Sequence, residues 1–232
     1  IGVVLTGELN GWSAPKDVIL RLAGELTVSG GTNHIIEYLG PGARTISCTG
    51  KATITNMGAE LGATTSIFPY DESMSRSPRA TNRAGIADVA NEYADMLRAD
   101  DEVEADPASF FDKVVEIDLS TLEPQIVGPH SPDRARPISE MAAEVADADN
   151  NFIDEVSSAL IGSCTNSSYE DMSRAADIAE QAAAHGLAAA VPFMVTPGSE
   201  QVRATIERDG QIGSLNKINS TVLANACGPC IG

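Results

Sequence analysis

The amino-acid sequence predicts an α/β protein built from three-layer α/β/α domains, and two observations carry this prediction. Short apolar runs of strand length alternate along the chain with longer segments of helical periodicity. Turns containing glycine or proline separate these segments, which is typical of strands and helices that build layers around a sheet. With 232 residues, of which 43% are hydrophobic, the chain is long enough for one large or two ordinary domains.

The first part of the chain shows this alternation clearly. A helix is expected from Pro15, because proline fits the first turn and Val18 and Leu22 repeat at helical spacing. A second helix is expected to open at Cys48 and to end at Gly62, since glycine commonly follows the last turn of a helix. Strands are predicted at residues 2–6, 34–39, 44–47 and 64–68.

The middle of the chain is predicted to be richer in surface segments. Residues 71–83 are rich in Ser, Arg, Asp and Asn and are expected to form a loop, followed by a helix over 84–98. The acidic run 99–107 is expected to be a solvated excursion. A strand is predicted at 114–119.

A domain boundary is expected close to residues 128–133, which have the composition of a linker. This boundary divides the chain into domains at 1–126 and 127–232. Beyond it, a strand at 156–161 ends at Gly162, and the pair Ser168 and Asp171 forms a capping box that opens a long helix. Further elements are predicted as a helix at 138–146, a strand at 193–196, a helix from Ser199 to Arg208 and a strand at 221–224.

The three cysteines in the second part of the chain follow predicted strands. Cys164 lies between a strand and a helix, and Cys227 and Cys230 follow the last predicted strand. Ligands of open α/β sheets bind outside the carboxyl ends of the strands. Two neighbouring strands of one sheet could therefore bring the three sulfur atoms together.

The spacing of these cysteines leaves several kinds of site open. A structural zinc site requires a fourth ligand, whereas three cysteines can hold a cubic iron–sulfur cluster with one open iron. A site without metal remains a further alternative. The sequence from Cys227 to Cys230 also equals the thioredoxin redox motif, but Ala226 stands where that motif expects an aromatic residue, and a helix is required after it.

The charge of the chain argues against anionic partners. It carries 33 acidic and 15 basic residues, a net charge of −18, which repels nucleic acid and anionic membranes. No apolar run reaches transmembrane length. Excess acid with few lysines suits either a salt-rich cytoplasm or an ordinary acidic protein, and the cysteine usage favours a reducing, cytosolic compartment.

Several long motifs strongly resemble the mitochondrial-type aconitase (aconitate hydratase) family. They are Ile161-Gly-Ser-Cys-Thr-Asn-Ser-Ser-Tyr-Glu-Asp-Met172, Thr196-Pro-Gly-Ser-Glu-Gln-Val-Arg-Ala-Thr-Ile-Glu-Arg-Asp-Gly210, Ala224-Asn-Ala-Cys-Gly-Pro-Cys-Ile-Gly232, Ile46-Ser-Cys-Thr-Gly50 and Thr55-Asn-Met-Gly-Ala-Glu-Leu-Gly-Ala-Thr-Thr65. The resemblance covers nearly the whole chain and is weakest at residues 71–112 and 130–155. Isopropylmalate dehydratase shares the first cysteine motif, but the last motif is similar to aconitase.

The resemblance implies a 4Fe-4S cluster whose three protein ligands are Cys164, Cys227 and Cys230. The fourth iron would act as a Lewis acid on the hydroxyl and a carboxylate of citrate or isocitrate, with cis-aconitate as the intermediate. Asn56 would hydrogen-bond near the cluster, and Glu60 would serve the iron-bound water or hydroxyl. Their i, i+4 spacing would put both on one helical face. Cys48 would be a structural thiol.

The same resemblance implies that the chain is an internal fragment of a hydro-lyase of the tricarboxylic acid cycle. It would hold the family's complete second domain and the first half of its third, and it would be inactive alone. The alternatives are a related dehydratase of the homoaconitase, methylcitrate, methylisocitrate or isopropylmalate type, or a cluster-free RNA-binding member. The full-length protein is expected to be a monomer that binds a tricarboxylate. Its compartment would be the cytoplasm of a bacterium or archaeon, or the mitochondrial matrix in a eukaryote.

Overall fold

The structure is a computed structural model that describes residues 1–147, 149, 155–226 and 228. It forms two compact units, which we call unit 1, Ile1–Asp147, and unit 2, Ala148–Gly232. Each is described separately below. No helix in the described part of the chain is both long and apolar enough to span a membrane.

Unit 1 is built on a four-stranded parallel sheet. Its strands are β1 Gly2–Thr6, β2 Ile35–Leu39, β3 Thr65–Ile67 and β4 Val114–Asp118, with β5 Gln125–Val127 and β6 Ala135–Pro137 forming a separate antiparallel pair. Its helices are α1 Pro15–Leu26, α2 Cys48–Asn56, α3 Glu72–Ala80, α4 Ala84–Glu92, α5 Asp101–Ala105 and α6 Ile138–Ala146, with short 3-10 segments at Pro41–Thr45, Met57–Leu61, Ala94–Met96 and Pro107–Ser109. The strand order is β3-β2-β1-β4, so the apolar β1 lies inside the sheet.

Helix α1 covers this sheet for reasons that are visible in the sequence. Pro15 occupies the first turn, and the Asp17 carboxylate accepts a hydrogen bond from the Ala14 amide at 2.7 Å. Val18 and Leu22 are fully buried, one helical turn apart, in the core that β1 and β4 also line. The predicted helix is therefore confirmed, with its apolar face against the sheet.

Unit 2 is a smaller α/β layer. Its elements are the strands β7 Ala159–Ile161, β8 Phe193–Val195 and β9 Ser220–Val222, and the helices α7 Tyr169–Ala184, α8 Glu200–Arg208 and α9 Gln211–Asn216. The three strands are parallel and lie in the order β7-β8-β9. Met172, Val195, Ile206 and Leu215 form the fully buried centre of its core. The predicted α/β fold class is thus confirmed by parallel sheets with helices in both units.

Two local predictions for unit 1 are wrong. Residues 44–47 were expected as a strand, but Arg44 and Thr45 belong to the 3-10 turn Pro41–Thr45, where Gly42 leaves no room for a side chain beside the Leu5 backbone. Residues 71–83, expected as a loop, contain α3, because the Asp71 side chain accepts from the Met74 amide at 3.2 Å and so caps a helix. The acidic run 99–107 contains the short helix α5 and buries none of its residues, which agrees with the predicted solvated excursion.

The linker-like residues 128–133 form the turn of the β5–β6 pair and are held to unit 1 by hydrogen bonds. Asp17 accepts from the Gln125 amide at 2.8 Å, and Asp133 accepts from the Val28 amide at 2.8 Å. The compact units therefore divide after Asp147. The boundary between the family's domains at 126 and 127 stays a prediction.

Candidate metal centre

The first cysteine motif lies at the carboxyl edge of the unit 2 sheet, directly after β7. Ile161 at the end of β7 pairs with Val195 of β8, and Val195 pairs with Val222 of β9. The three parallel strands therefore end side by side. Cys164 follows β7 by three residues, so its thiol lies at this edge, and its side chain is exposed.

Gly162 makes the turn from β7 towards Cys164 possible. Its φ of +106° is a conformation that side-chain-bearing residues rarely adopt. A Cβ atom there would lie 3.2 Å from Thr196 Cβ and far inside van der Waals distance of the Thr196 carbonyl oxygen. Only glycine allows the backbone after β7 to pass this close to the end of β8.

The loop after Cys164 is held by its own hydroxyl groups. The buried Ser167 hydroxyl donates to the Ser163 carbonyl, and the Ser167 carbonyl accepts from the Gly198 amide at 3.0 Å. Ser168 caps α7, with its hydroxyl accepting from the Asp171 amide at 3.2 Å, which confirms the predicted capping box. The loop is thereby fixed between β7 and α7, with the Cys164 sulfur 3.7 Å from the Thr165 hydroxyl.

The second cysteine motif begins just beyond β9. The Leu223 amide donates to the Val195 carbonyl at 2.8 Å, which extends the pairing past the strand, and the Asn225 side chain donates to Glu200 at 2.8 Å. The hydrogen bond from Arg203 lowers the pKa of Glu200, so this carboxylate is a good acceptor at neutral pH. Cys227 and Cys230 themselves lie outside the described residues.

The strand order corrects one part of the sequence interpretation. The strands that precede the two cysteine motifs were expected to be neighbours, but β8 lies between β7 and β9. Adjacent strands are about 4.8 Å apart, so β7 and β9 are separated by about 10 Å. The end of β8 therefore occupies the centre of the edge from which both motifs emerge.

Thr196, the first residue after β8, is the polar residue at that centre. Its amide donates to the Ile161 carbonyl at 2.8 Å, and the residue is completely buried. Within the described part of the chain, its hydroxyl oxygen has no hydrogen-bond partner. A buried hydroxyl without a partner costs about 1–3 kcal/mol, so its position calls for a physical explanation.

Asn56 and Glu60 belong to unit 1, where both side chains are exposed. Asn56 is the last residue of α2 and lines a surface cleft of about 500 Å³ with Thr55 and Ser66. Glu60 lies in the 3-10 segment Met57–Leu61, which ends at Gly62 with φ of +75°. The helix predicted from Cys48 is confirmed in its start and its end, but its last turn is wound more tightly.

This change of winding overturns the single-face argument for Asn56 and Glu60. In an α-helix residues four apart differ by about 40° around the axis, whereas in a 3-10 helix they differ by about 120°. The i, i+4 spacing therefore does not by itself align the two side chains. Their roles stay predictions, as does the structural role of Cys48, which is half-buried at the first position of α2.

A buried ion pair beneath α2 escaped the sequence interpretation. Lys51 of α2 is 2% exposed, and its ammonium group pairs with Asp71 and donates to the Ser73 hydroxyl at 3.1 Å. The ammonium nitrogen also lies 5.9 Å from the centre of the Phe68 ring. Burial alone would raise the pKa of Asp71, but hydrogen bonds from Lys51 and Ser73 and the Lys51 charge outweigh it and lower that pKa. The signal available in the sequence was Asp71 itself, a helix-capping residue three positions before Met74.

The chain as a whole matches one family. The model of the aconitase family (aconitate hydratase) matches residues 1–232. The chain belongs to the aconitase family.

Individual relatives have a high identity but are much longer. Mitochondrial aconitate hydratase of Saccharomyces cerevisiae is 59% identical over 233 residues, which covers 100% of this chain and 29% of that protein. Mitochondrial homocitrate dehydratase of the same yeast is 57% identical over 235 residues, again 100% of this chain and 29% of that protein. The chain thus spans less than a third of these relatives' length. The crystal structure of Thermococcus kodakaraensis aconitase X (holo-form) aligns with 97% of this chain and 44% of that one at a TM-score of 0.45 and 13% identity, too weak a likeness to support an argument.

Among the described residues, those at the carboxyl edge of the unit 2 sheet are compatible with a cluster held by cysteine sulfur. Cys164 offers an exposed thiol. The buried side-chain oxygens of Thr196 and Asn225 have no partner in the described residues, and these residues follow β8 and β9, which end at the same edge. Within the described residues no three His, Cys, Asp or Glu side chains come together as a metal site. The other two cysteines that the sequence predicts as ligands, Cys227 and Cys230, lie outside those residues.

Proposed function

We propose that this chain is part of a hydro-lyase that interconverts citrate and isocitrate through cis-aconitate in the tricarboxylic acid cycle. The observation that carries the proposal is the match to the aconitase family over residues 1–232. The exposed thiol of Cys164 at the carboxyl edge of β7 supports it, because this is where α/β folds bind ligands.

The metal centre would be a 4Fe-4S cluster held by Cys164, Cys227 and Cys230. Three cysteine ligands leave one iron open, and when bound the cluster would supply a Lewis acid that polarises the C–OH bond of the substrate. The chain's own contribution is to hold Cys164 rigidly. Gly162 sets the turn, the Ser167 bond to Ser163 closes the loop, and the loop is tied to the segment after β8 through Gly198.

Asn56 and Glu60 would act on the substrate. Glu60 is exposed, and as a carboxylic acid it could donate a proton to the departing hydroxyl group, which leaves as water. In the hydration direction the Glu60 carboxylate would take that proton back from the water that adds. The Asn56 amide would orient a polar substrate group by hydrogen bonding. The buried pair of Lys51 and Asp71 supports this arrangement, since it anchors α2, on which Asn56 lies, to the start of α3.

A second substrate class is favoured by one observation. Homocitrate dehydratase is 57% identical to this chain, nearly as similar as the 59% of aconitate hydratase from the same yeast. The segment therefore suits a homologous tricarboxylate as well as citrate. Methylcitrate, methylisocitrate and isopropylmalate are the other dehydratase substrates to compare.

A cluster-free RNA-binding protein is the alternative from another class. The net charge of −18 opposes it, because nucleic-acid binding depends on neutralising phosphates with basic side chains. Binding of RNA at physiological salt by the full-length protein without a cluster would favour this alternative.

The compartment and assembly of the full-length protein are further parts of the proposal. The two yeast relatives are named as mitochondrial, so the matrix is the proposed site in a eukaryote, with the cytoplasm as the site in a prokaryote. We propose a monomer with a small tricarboxylate as its partner and no membrane attachment.

The test is to purify the full-length protein anaerobically and to measure its visible absorption, its iron and sulfide content, and its hydration of cis-aconitate. Four iron atoms per chain and activity on cis-aconitate are expected for the 4Fe-4S enzyme. Parallel assays with homoaconitate and methylaconitate would decide the substrate class. A colourless protein with stoichiometric zinc would refute the proposal.

A further inference from the structure

The residue at the centre of the unit 2 edge has no assigned role. Thr196 follows β8, which lies between the strand that leads to Cys164 and the strand that leads to the second cysteine motif. Val195, one residue earlier, is buried in the core formed with α7, α8 and α9. Because successive side chains of a strand alternate, the Thr196 side chain turns away from that core.

The Thr196 hydroxyl is also unusual among the hydroxyl groups around it. Ser167 donates to the Ser163 carbonyl, Ser168 caps α7, and Ser199 caps α8 by accepting from the Val202 amide at 3.1 Å. In the described residues the Thr196 hydroxyl, by contrast, is buried and has no partner. A buried polar group without a partner calls for an explanation, and a ligand bound beside it is one such explanation.

The surroundings of Thr196 indicate which site this is. The Thr196 Cβ atom lies 3.2 Å from the place where a side chain on Gly162 would begin, so the side chain borders the turn that carries the backbone to Cys164. The threonine backbone is already engaged through its amide with Ile161. Only the hydroxyl is left to act, and a hydroxyl can donate a hydrogen bond to sulfur.

We propose that Thr196 is a positioning residue of the metal centre, whose hydroxyl donates its hydrogen bond to thiolate or sulfide sulfur at the carboxyl edge of β7, β8 and β9. This inference rests on the proposed function. Hydrogen bonds to sulfur raise the reduction potential of iron–sulfur clusters, and partners of the ligand shell commonly change metal retention by about 10–100-fold.

The experiment uses the full-length protein with its cluster assembled, as wild type and as Thr196→Val and Thr196→Ser. Valine keeps the shape and removes the hydroxyl, whereas serine keeps the hydroxyl. We expect Thr196→Val to lose iron to a chelator about 10-fold faster than wild type and to show a lower reduction potential in an EPR-monitored titration. Thr196→Ser is expected to stay within about 2-fold of wild type.

The matched control is Thr205→Val in α8 of the same unit. The Thr205 hydroxyl donates to the Gln201 carbonyl at 2.7 Å and so has an internal partner. Iron loss and reduction potential in this variant are expected to equal those of wild type.

The cluster-free protein separates a positioning role from a structural one. If the hydroxyl serves the metal centre, cluster-free Thr196→Val unfolds at the same temperature as wild type or a higher one, because an unpaired buried hydroxyl has been removed. Unchanged iron loss and potential in Thr196→Val, or a failure of this variant to fold without cluster, would overturn the inference. A wild-type protein that binds no cluster would instead refute the proposed function itself.

Discussion

Units 1 and 2 both present a parallel sheet with helices, but they hold it together differently. In the described residues unit 1 buries 18 hydrophobic side chains in one core, whereas the core of unit 2 contains five. The strands β1, β2 and β4 have five residues each, and every strand of unit 2 has three. Unit 1 therefore depends on the amount of apolar surface that it buries, and unit 2 depends more on individual residues at the strand ends.

The buried polar groups of the two units differ in the same sense. In unit 1 the buried Lys51 ammonium is fully engaged with Asp71 and Ser73. The Tyr38 hydroxyl lacks a partner within the described residues, but its ring stacks on Phe68 at 4.4 Å inside the core, and burial raises the pKa of Tyr38. In unit 2 the Thr196 hydroxyl is left unpaired where the cysteine motifs emerge. The clearest difference is thus the buried Lys51 ammonium of unit 1, which is paired, and the buried Thr196 hydroxyl of unit 2, which has no partner in the described residues.

The largest expected effect compares one cysteine from each unit. Cys164→Ser in the full-length enzyme should lose the cluster and with it at least about 10³-fold of the activity, because the proposed Lewis acid is gone. Cys48→Ser in unit 1 should keep the cluster and cost less than about 1 kcal/mol of stability. Iron content and cis-aconitate hydration measure both variants. Full activity in Cys164→Ser would contradict the proposed role of Cys164 as a cluster ligand.

Gly162 gives the next largest effect, on the stability of unit 2. Gly162→Ala forces a side chain into a φ of +106° and against the Thr196 carbonyl, so we expect a loss of about 3 kcal/mol or more. Gly213→Ala in α9 meets no atom within 4 Å and should be neutral or gain up to about 1 kcal/mol. Urea unfolding of the full-length protein measures the change. Equal stabilities of the two variants would contradict the close approach of β7 and β8.

The ion pair of Lys51 and Asp71 gives the next effect, on the stability of unit 1. Asp71→Asn keeps the helix cap but leaves the Lys51 charge buried without its counter-ion, and we expect a loss of about 2–3 kcal/mol. The double variant Lys51→Met, Asp71→Asn should recover most of this loss, because no buried charge remains. The free energy of unfolding from urea titrations tests both. A double variant that is no more stable than Asp71→Asn would mean that the pair matters through its shape and not its charge.

The smallest effect is the pH dependence of the same pair. The pKa of Asp71 is lower in the folded protein than its ordinary value of 3.8, so the ionised form stabilises the fold. That stabilisation is present above the ordinary pKa and is lost as the pH falls through the lower folded value. The difference in unfolding free energy between wild type and Asp71→Asn should therefore be constant above about pH 5 and shrink below about pH 4. The exposed Glu72→Gln should show a difference below about 0.5 kcal/mol throughout.

The elements that depend on neighbouring residues could be predicted from the sequence alone. The bounds of β1 and α6 agree with the predicted ranges, and α1 and α7 begin where Pro15 and the capping box at Ser168 predict. Cys164 lies at a strand end as expected. Caps, turns and apolar periodicity act within a few residues, so the information that specifies them is local.

The tertiary structure decided what depends on residues far apart in the chain. The Asp71 cap of α3 is a local signal, but its pairing with the buried Lys51, 20 positions earlier, is not. The position of β8 between the strands that precede the two cysteine motifs follows from hydrogen bonds between segments more than 25 residues apart. That strand order also buried the Thr196 hydroxyl, which reads in the sequence as an ordinary threonine before a proline. The sequence by itself determined β1, α1, α6, α7 and the position of Cys164 just beyond a strand, because caps, turns and apolar periodicity are local. Only the packing of distant strands decided that Thr196 lies at the centre of the carboxyl edge of β7, β8 and β9, because burial and strand pairing are properties of the assembled sheet.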